Sequence, residues 1–153
     1  MGNALEQYIR SKIPYFEVVG EKKRRFASQG FSSAKSANNG DPFVVYGVQI
    51  AGIQSIYGVK WKVDVYCWHP EKHKQGFVME IKNQDTPGSA DDKLPFVMFS
   101  LAKLREEGFT TAALLEGHGI RPVVKEWCAR EGVKHGVECY DAAGFAAWAR
   151  RNL

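Results

Sequence analysis

Residues 59 to 84 read VKWKVDVYCWHPEKHKQGFVMEIKNQ, and the fold turns on them. Val59, Trp61, Val63, Val65 and Cys67 alternate with Lys60, Lys62, Asp64, Tyr66 and Trp68, the period-2 pattern of a strand with one buried face. Asp64 is therefore expected to point away from the apolar side. In a second strand Phe77, Met79 and Ile81 form one face, which leaves Val78, Glu80, Lys82 and Gln84 to share the other. Pro70 and Gly76 bracket the polar connection HPEKHKQG, expected as a hairpin with a wide loop. Pairing of the two strands would bring Asp64 and Glu80 close enough to hold one divalent cation, with Lys82 beside them.

Two carboxylates and a lysine in this arrangement suit phosphodiester hydrolysis. Carboxylate oxygens are hard ligands for Mg²⁺, which keeps several waters and also takes a phosphate oxygen. A lysine beside such a cation can orient the attacking water or stabilise the negative charge that develops. A solvated hairpin with cross-strand Glu and Lys pairs is the competing structural reading.

On these residues the chain resembles the PD-(D/E)XK nuclease superfamily, whose core carries an acid near the end of one strand and (D/E)-x-K on the next. Asp64 and Glu80-Ile81-Lys82 match that pattern, and Gln84 matches its extended (D/E)-x-K-x-Q form. Val63 stands where the family often has a proline before the acid, and GSADDKLPF at 88 to 96 is similar to the start of the helix after the motif. The G-N-x-L-E wording at 2 to 6 resembles a first-helix element whose glutamate reaches the metal site. Glu6 has an equal reading as a first-turn acid that complements the helix dipole. The resemblance implies an α/β, restriction-endonuclease-like mixed sheet flanked by helices, and a Mg²⁺-dependent DNA endonuclease in which Mn²⁺ substitutes. It implies Asp64, Glu80, Lys82 and Gln84 as catalytic residues, Glu6, Asp64 and Glu80 around the metal, and Lys93 facing the scissile backbone.

A chain of 153 residues with 44% hydrophobic content fits one domain with a filled core. No apolar run is long enough to span a bilayer, and the start MGNALEQYIR carries no signal-peptide core, so a cytoplasmic location is expected. Gly2 is no acylation signal, because residue 6 is Glu where that motif needs Ser or Thr. Three cysteines, Cys67, Cys128 and Cys139, are an odd number at unpatterned spacing and are expected as buried thiols. Cys67, His69 and His73 form C-x-H-x3-H, but without a CxxC or HExxH partner they are expected to be hairpin residues rather than a zinc site.

The formal net charge is +4 and the pI about 9.0, a balance that suits a polyanionic partner. Most of the excess is local. Residues 21 to 40, EKKRRFASQGFSSAKSANNG, set Lys22, Lys23, Arg24, Arg25 and Lys35 against the single acid Glu21. The Gly, Ser and Asn content predicts an extended basic loop that contacts DNA phosphates, with Phe26 and Phe31 either stacking or tucked into the core.

In chain order, Asn3 caps a helix of Leu5, Tyr8 and Ile9 that Pro14 ends, and Phe43 to Ile50 form a strand before the central pair. After the motif the period changes to 3.6: Leu94, Val97, Met98, Leu101 and Leu104 mark a helix from about Asp92 to Glu107, with Pro95 in its first turn. Phe109 to Leu115 read as a buried strand, Pro122 opens a helix closed by Gly132, Val137 to Tyr140 form a last strand, and Asp141 caps the terminal helix. The loop LEGHGIRP at 115 to 122 fits neither GxGxxG nor GxxxxGK; within it Arg121 is a candidate phosphate contact and His118 a turn residue.

The expected activity is that of a structure-specific, junction-resolvase-like or compact phage or mobile-element nuclease acting on DNA. A sequence-specific restriction or homing endonuclease and a non-catalytic DNA-binding module on the same fold are the alternatives. With one candidate metal site per chain, a homodimer or higher homo-oligomer is expected for cutting two strands.

Overall fold

Sequential strands lie side by side throughout: β1 (Phe16–Glu17), β2 (Phe43–Gln54), β3 (Lys60–His69), β4 (His73–Asn83), β5 (Thr110–Glu116) and β6 (Glu138–Tyr140) form one mixed sheet in that order. The computed structural model describes residues 3 to 153, so the reading of Gly2 falls outside the described residues. The β2–β3–β4 meander is antiparallel, whereas β4, β5 and β6 run parallel. Parallel neighbours need a crossover. Between β4, β5 and β6 the crossovers are α4 (Ala90–Glu106) and α5 (Pro122–His135), and β1, which is parallel to β2, is joined to it by a third crossover through residues 18 to 42.

Helices cover both faces, so the middle strands are apolar on both sides. On one face pack α2 (Gly20–Gln29), α3 (Ala34–Ala37), α4 and α5, through Phe26, Ala37, Leu94, Leu101 and Cys128. The other face carries α1 (Ala4–Lys12) and α6 (Ala142–Asn152), through Ile9, Phe145 and Trp148. The Asn3 side chain accepts from the Glu6 amide at 2.8 Å and Asp141 from the Gly144 amide at 2.7 Å, so both predicted caps form.

Alternation in β2 and β3 breaks at one level of the sheet. Val63 packs on the α4 side but Val65 and Cys67 pack on the α1 side, and in β2 Val48 and Tyr46 are divided the same way. The register pairs Val48 with Val63 and Tyr46 with Val65, which sets Gly47 opposite Asp64. Gly47 has φ +56°, a conformation that glycine alone enters freely. The single face expected for Trp61, Val63, Val65 and Cys67 is thus corrected: the strand changes faces at Asp64.

Other expectations change or are decided between. Residues 21 to 40 are no loop but α2, a 3-10 turn at Gly30–Ser33 and α3. Phe26 is fully buried against Phe43 and Tyr66 and so is not free to stack on a base, and Phe31 is partly buried on Phe109. β4 begins at His73, leaving only residues 70 to 72 as the connection, and α5 runs past Gly132 to a left-handed Gly136. Finally, α4 starts at Ala90, which moves Pro95 into the second turn and leaves the Asp91 carbonyl without its helical N–H.

Candidate active site

The β3–β4 ladder pairs Cys67 with Phe77, Tyr66 with Val78 and Val65 with Met79, and then the strands part. Two carboxylates fill the fork. Glu80 Oε1 accepts from the Asp64 amide at 3.0 Å, and Asp64 Oδ2 accepts from the Ile81 amide at 2.7 Å. Side chains thereby satisfy the strand amides where the ladder opens, and the same bonds fix where each carboxylate sits.

The two acids differ in exposure. Glu80, expected on a polar face, is instead 4% exposed. Burial, and after it the charge of Asp64, push its carboxyl up to about 8, against the opposing pull of the Asp64 amide and of Lys82. Asp64 is half-buried and lines a cleft of about 210 Å³ with Asn3, Leu5, Glu6, Ile81 and Asn83. Glu6 comes to that cleft from the first turn of α1, and its Oε2 is buried with no hydrogen-bond partner among the described residues. Lys82 is half-exposed two residues beyond Glu80 on β4 and forms no ion pair with another described residue.

Among the described residues no three His, Cys, Asp or Glu side chains stand as a ready-made metal cage. The donor set fits a hard cation nonetheless. Asp64 shares the cleft with Glu6, whose buried Oε2 has no partner among the described residues, Glu80 is bonded to Asp64 from the fork behind it, and Mg²⁺ characteristically fills most of its coordination with water and phosphate. The Cys67, His69 and His73 trio does not fit zinc. Cys67 is fully buried, His69 Nδ1 accepts from the Glu71 and Lys72 amides at 3.0 Å, and His73 packs among Phe77 and Trp148.

Gln84 lies outside the carboxylate pair. Its Oε1 accepts from the Ala90 amide at 3.1 Å and its Nε2 donates to the Gly119 carbonyl at 3.4 Å, tying the end of β4 to the start of α4 and to the loop after β5. Gly117, at φ +101°, comes so close to the Gln84 carbonyl that a Cβ there would collide with it. Arg121 bonds Asp91 at 2.7 Å, and His118 is exposed between its glycines.

The basic residues fall in separate places. Lys23 and Arg24 line a groove with Gly47, the residue opposite Asp64 in the register. Arg24 also pairs with Glu21 at 2.6 Å, Lys22 reaches the Ala37 carbonyl at 3.4 Å, and Arg25 and Lys93 are exposed. Lys35 stands apart, on a cavity with Phe31, Tyr66, Trp68 and Lys74. Sequence reasoning passed over Asn83 and Gly47. Asn83 shares the parity of Ile81, which was signal enough, but Gly47 offered only a glycine within an apolar run.

A family model described as PD-(D/E)XK nuclease superfamily domain matches residues 1–153. No curated protein and no solved structure gives a match. With the motif carried by a forked β3–β4 pair in a helix-flanked mixed sheet, and the family model spanning these residues, the chain belongs to the PD-(D/E)XK nuclease superfamily.

Proposed function

We propose that the protein is a metal-dependent DNA endonuclease whose reaction centre is Asp64, Glu80 and Lys82, with Glu6 completing the cation site. The observation that carries this reading is the fork itself, where two carboxylates are locked by strand amides beside a cleft holding a third acid. Mg²⁺ or Mn²⁺, when bound, neutralises phosphate charge and makes water a better nucleophile.

Each residue then has a defined task. Asp64 and Glu80 would hold the cation through oxygens fixed by strand amides, Glu80 as the carboxylate rather than the carboxylic acid. Lys82 donates from Nζ toward the attacking water and the charge growing on the phosphate. Water oxygen bonds to phosphorus, the bond from phosphorus to one sugar oxygen breaks, and that oxygen takes up a proton. Gln84 holds β4 against α4 so that Glu80 and Lys82 keep their places. Lys23, Arg24 and Arg25 hold the backbone of the DNA on α2, and Lys93 does so on α4.

The substrate we favour is branched or otherwise structured DNA, cut by a homodimer that presents two such sites to opposed strands. Digesting linear duplex, single-stranded, flap and four-way-junction DNA in Mg²⁺, Mn²⁺ and EDTA tests this. Cleavage in either metal, absent in EDTA and faster on flap or junction, is the expected result. Equal cleavage of every substrate would remove structure specificity, and no cleavage of any would remove the nuclease.

A further inference from the structure

The turn between β2 and β3 adds the exposed ring of Tyr57 to Trp61 and Phe96, which pack against the core and are only partly buried. Ser55 to Gly58 form a tight turn, closed by the Gly58 amide on the Ser55 carbonyl and the Ser55 amide on the Val59 carbonyl, each at 2.9 Å. Its tip is pinned to α4, because the Ile56 amide donates to the buried Ser100 Oγ at 3.1 Å. Held this way, the Tyr57 ring stacks on Phe96 of α4 at 5.5 Å and 29°, and Trp61 meets Phe96 edge-on at 6.2 Å. Tyr57 is 75% exposed and Val59 59%, so the outer face of this rigid aromatic group is open.

Position and charge say what it suits. Trp61 precedes Asp64 by three residues on β3, roughly 10 Å along the strand at about 3.3 Å per residue. Lys93 lies one helical turn before Phe96, is exposed and forms no ion pair with another described residue, whereas Lys60 and Lys62, next to Trp61 in β3, alternate onto the other face of the strand. Protein interfaces are depleted in lysine at their centres. Surfaces for single-stranded nucleic acid instead combine aromatic faces with lysines that follow the backbone.

We infer that Tyr57, Phe96 and Trp61 form a stacking platform for unpaired nucleobases, so that the substrate carries a single-stranded segment roughly two or three nucleotides from the phosphate that is cut. The inference rests on Asp64, Glu80 and Lys82 being the cleavage centre. It narrows the substrate to DNA with flaps, overhangs or opened arms and disfavours a fully paired duplex. The pinned turn keeps the rings in place before DNA arrives, so little ordering cost opposes stacking.

The test is binding in EDTA, where no metal-dependent cutting occurs, with the full chain and two probes of equal length. One is a blunt duplex and the other a duplex with a short 3′ or 5′ single-stranded arm containing 2-aminopurine. The arm is expected to be bound more tightly than the blunt duplex, with 2-aminopurine fluorescence quenched by stacking. Tyr57→Ala should lose the quenching and weaken arm binding roughly 5- to 100-fold, while Tyr57→Trp should retain both. Arm binding and quenching by Tyr57→Ala equal to those of the unaltered chain would overturn the platform. So would sedimentation showing that Tyr57→Ala splits a dimer, since a second copy would then cover the rings. Metal-dependent cleavage by the unaltered chain and by Lys82→Ala, measured separately, shows whether any failure belongs instead to the cleavage centre.

Discussion

Asp64 and Glu80 are held to each other's strands: the Asp64 amide donates to Glu80 Oε1 at 3.0 Å, and the Ile81 amide, next to Glu80, donates to Asp64 Oδ2 at 2.7 Å. A continuous ladder would have used those amides for backbone pairing. Diverting them to carboxylates opens the sheet at one place and sets two acidic groups side by side there, one of them buried. The pair is costly for folding, which is typical of groups kept for function.

That cost has a pH signature. The Glu80 carboxyl is raised from its ordinary 4.5 to about 8 by burial and by Asp64, so between those values the folded chain holds a proton that the unfolded chain releases. Without metal, stability should therefore be greatest below about 4.5 with respect to this group and fall as pH rises through about 8. Each pKa unit of displacement is worth about 1.4 kcal/mol. Glu80→Gln should flatten this slope and make the protein more stable than the parent at pH 8 in EDTA. Urea unfolding of both proteins at pH 5 and pH 8 checks it; an identical pH slope in the two would show that Glu80 ionises normally.

Glu6 supplies the second prediction, from its buried Oε2 in the Asp64 cleft, which has no partner among the described residues. Glu6→Gln keeps the shape but removes the charge, and should weaken Mn²⁺ binding by roughly tenfold or more, less than Asp64→Ala does. Calorimetric titration of Mn²⁺ at pH 7 in two buffers should also show close to one proton released, the one on Glu80. Unchanged affinity in Glu6→Gln would leave the residue as a helix-dipole partner only.

How legible this was depended on how local each cause is. Asp64, Glu80 and Lys82 could be singled out because strand parity and short spacing are written within one stretch. The change of face at Asp64 was not, because it depends on Gly47 in a neighbouring strand and on amides diverted across the fork. Residues 21 to 40 misled for a different reason. Their Gly, Ser and Asn content reads as loop, yet Lys and Arg are good helix formers, and Phe26 and Ala37 supply enough apolar anchorage to hold two helices on the sheet. Gln84 matched a motif letter, but only coordinates show that its amide joins β4 to α4.

The helical form of the basic segment sharpens the third prediction. Lys23, Arg24 and Arg25 sit on one short helix beside Gly47, while Lys22 and Arg24 already have protein partners. Replacing Lys22, Lys23, Arg24 and Arg25 with Gln should lower DNA affinity irrespective of sequence. The log–log salt slope should fall by about 0.9 for each phosphate that is no longer neutralised, and by fewer than four such steps in all. A slope equal to that of the parent would show that α2 is a solvated face.

The central claim is that this fork is where DNA is cut, and single-turnover cleavage by Lys82→Ala is the most direct measurement. Lys82 has no ion pair among the described residues and is half-exposed, so its loss should leave the fold intact. The account predicts that Lys82→Ala melts like the parent and still binds Mn²⁺ and DNA. Its cleavage should nonetheless slow by at least about a hundredfold, since the missing donor acts mainly on charge that develops in the transition state. Cleavage within about twofold of the parent rate, by a protein that folds normally, would contradict it.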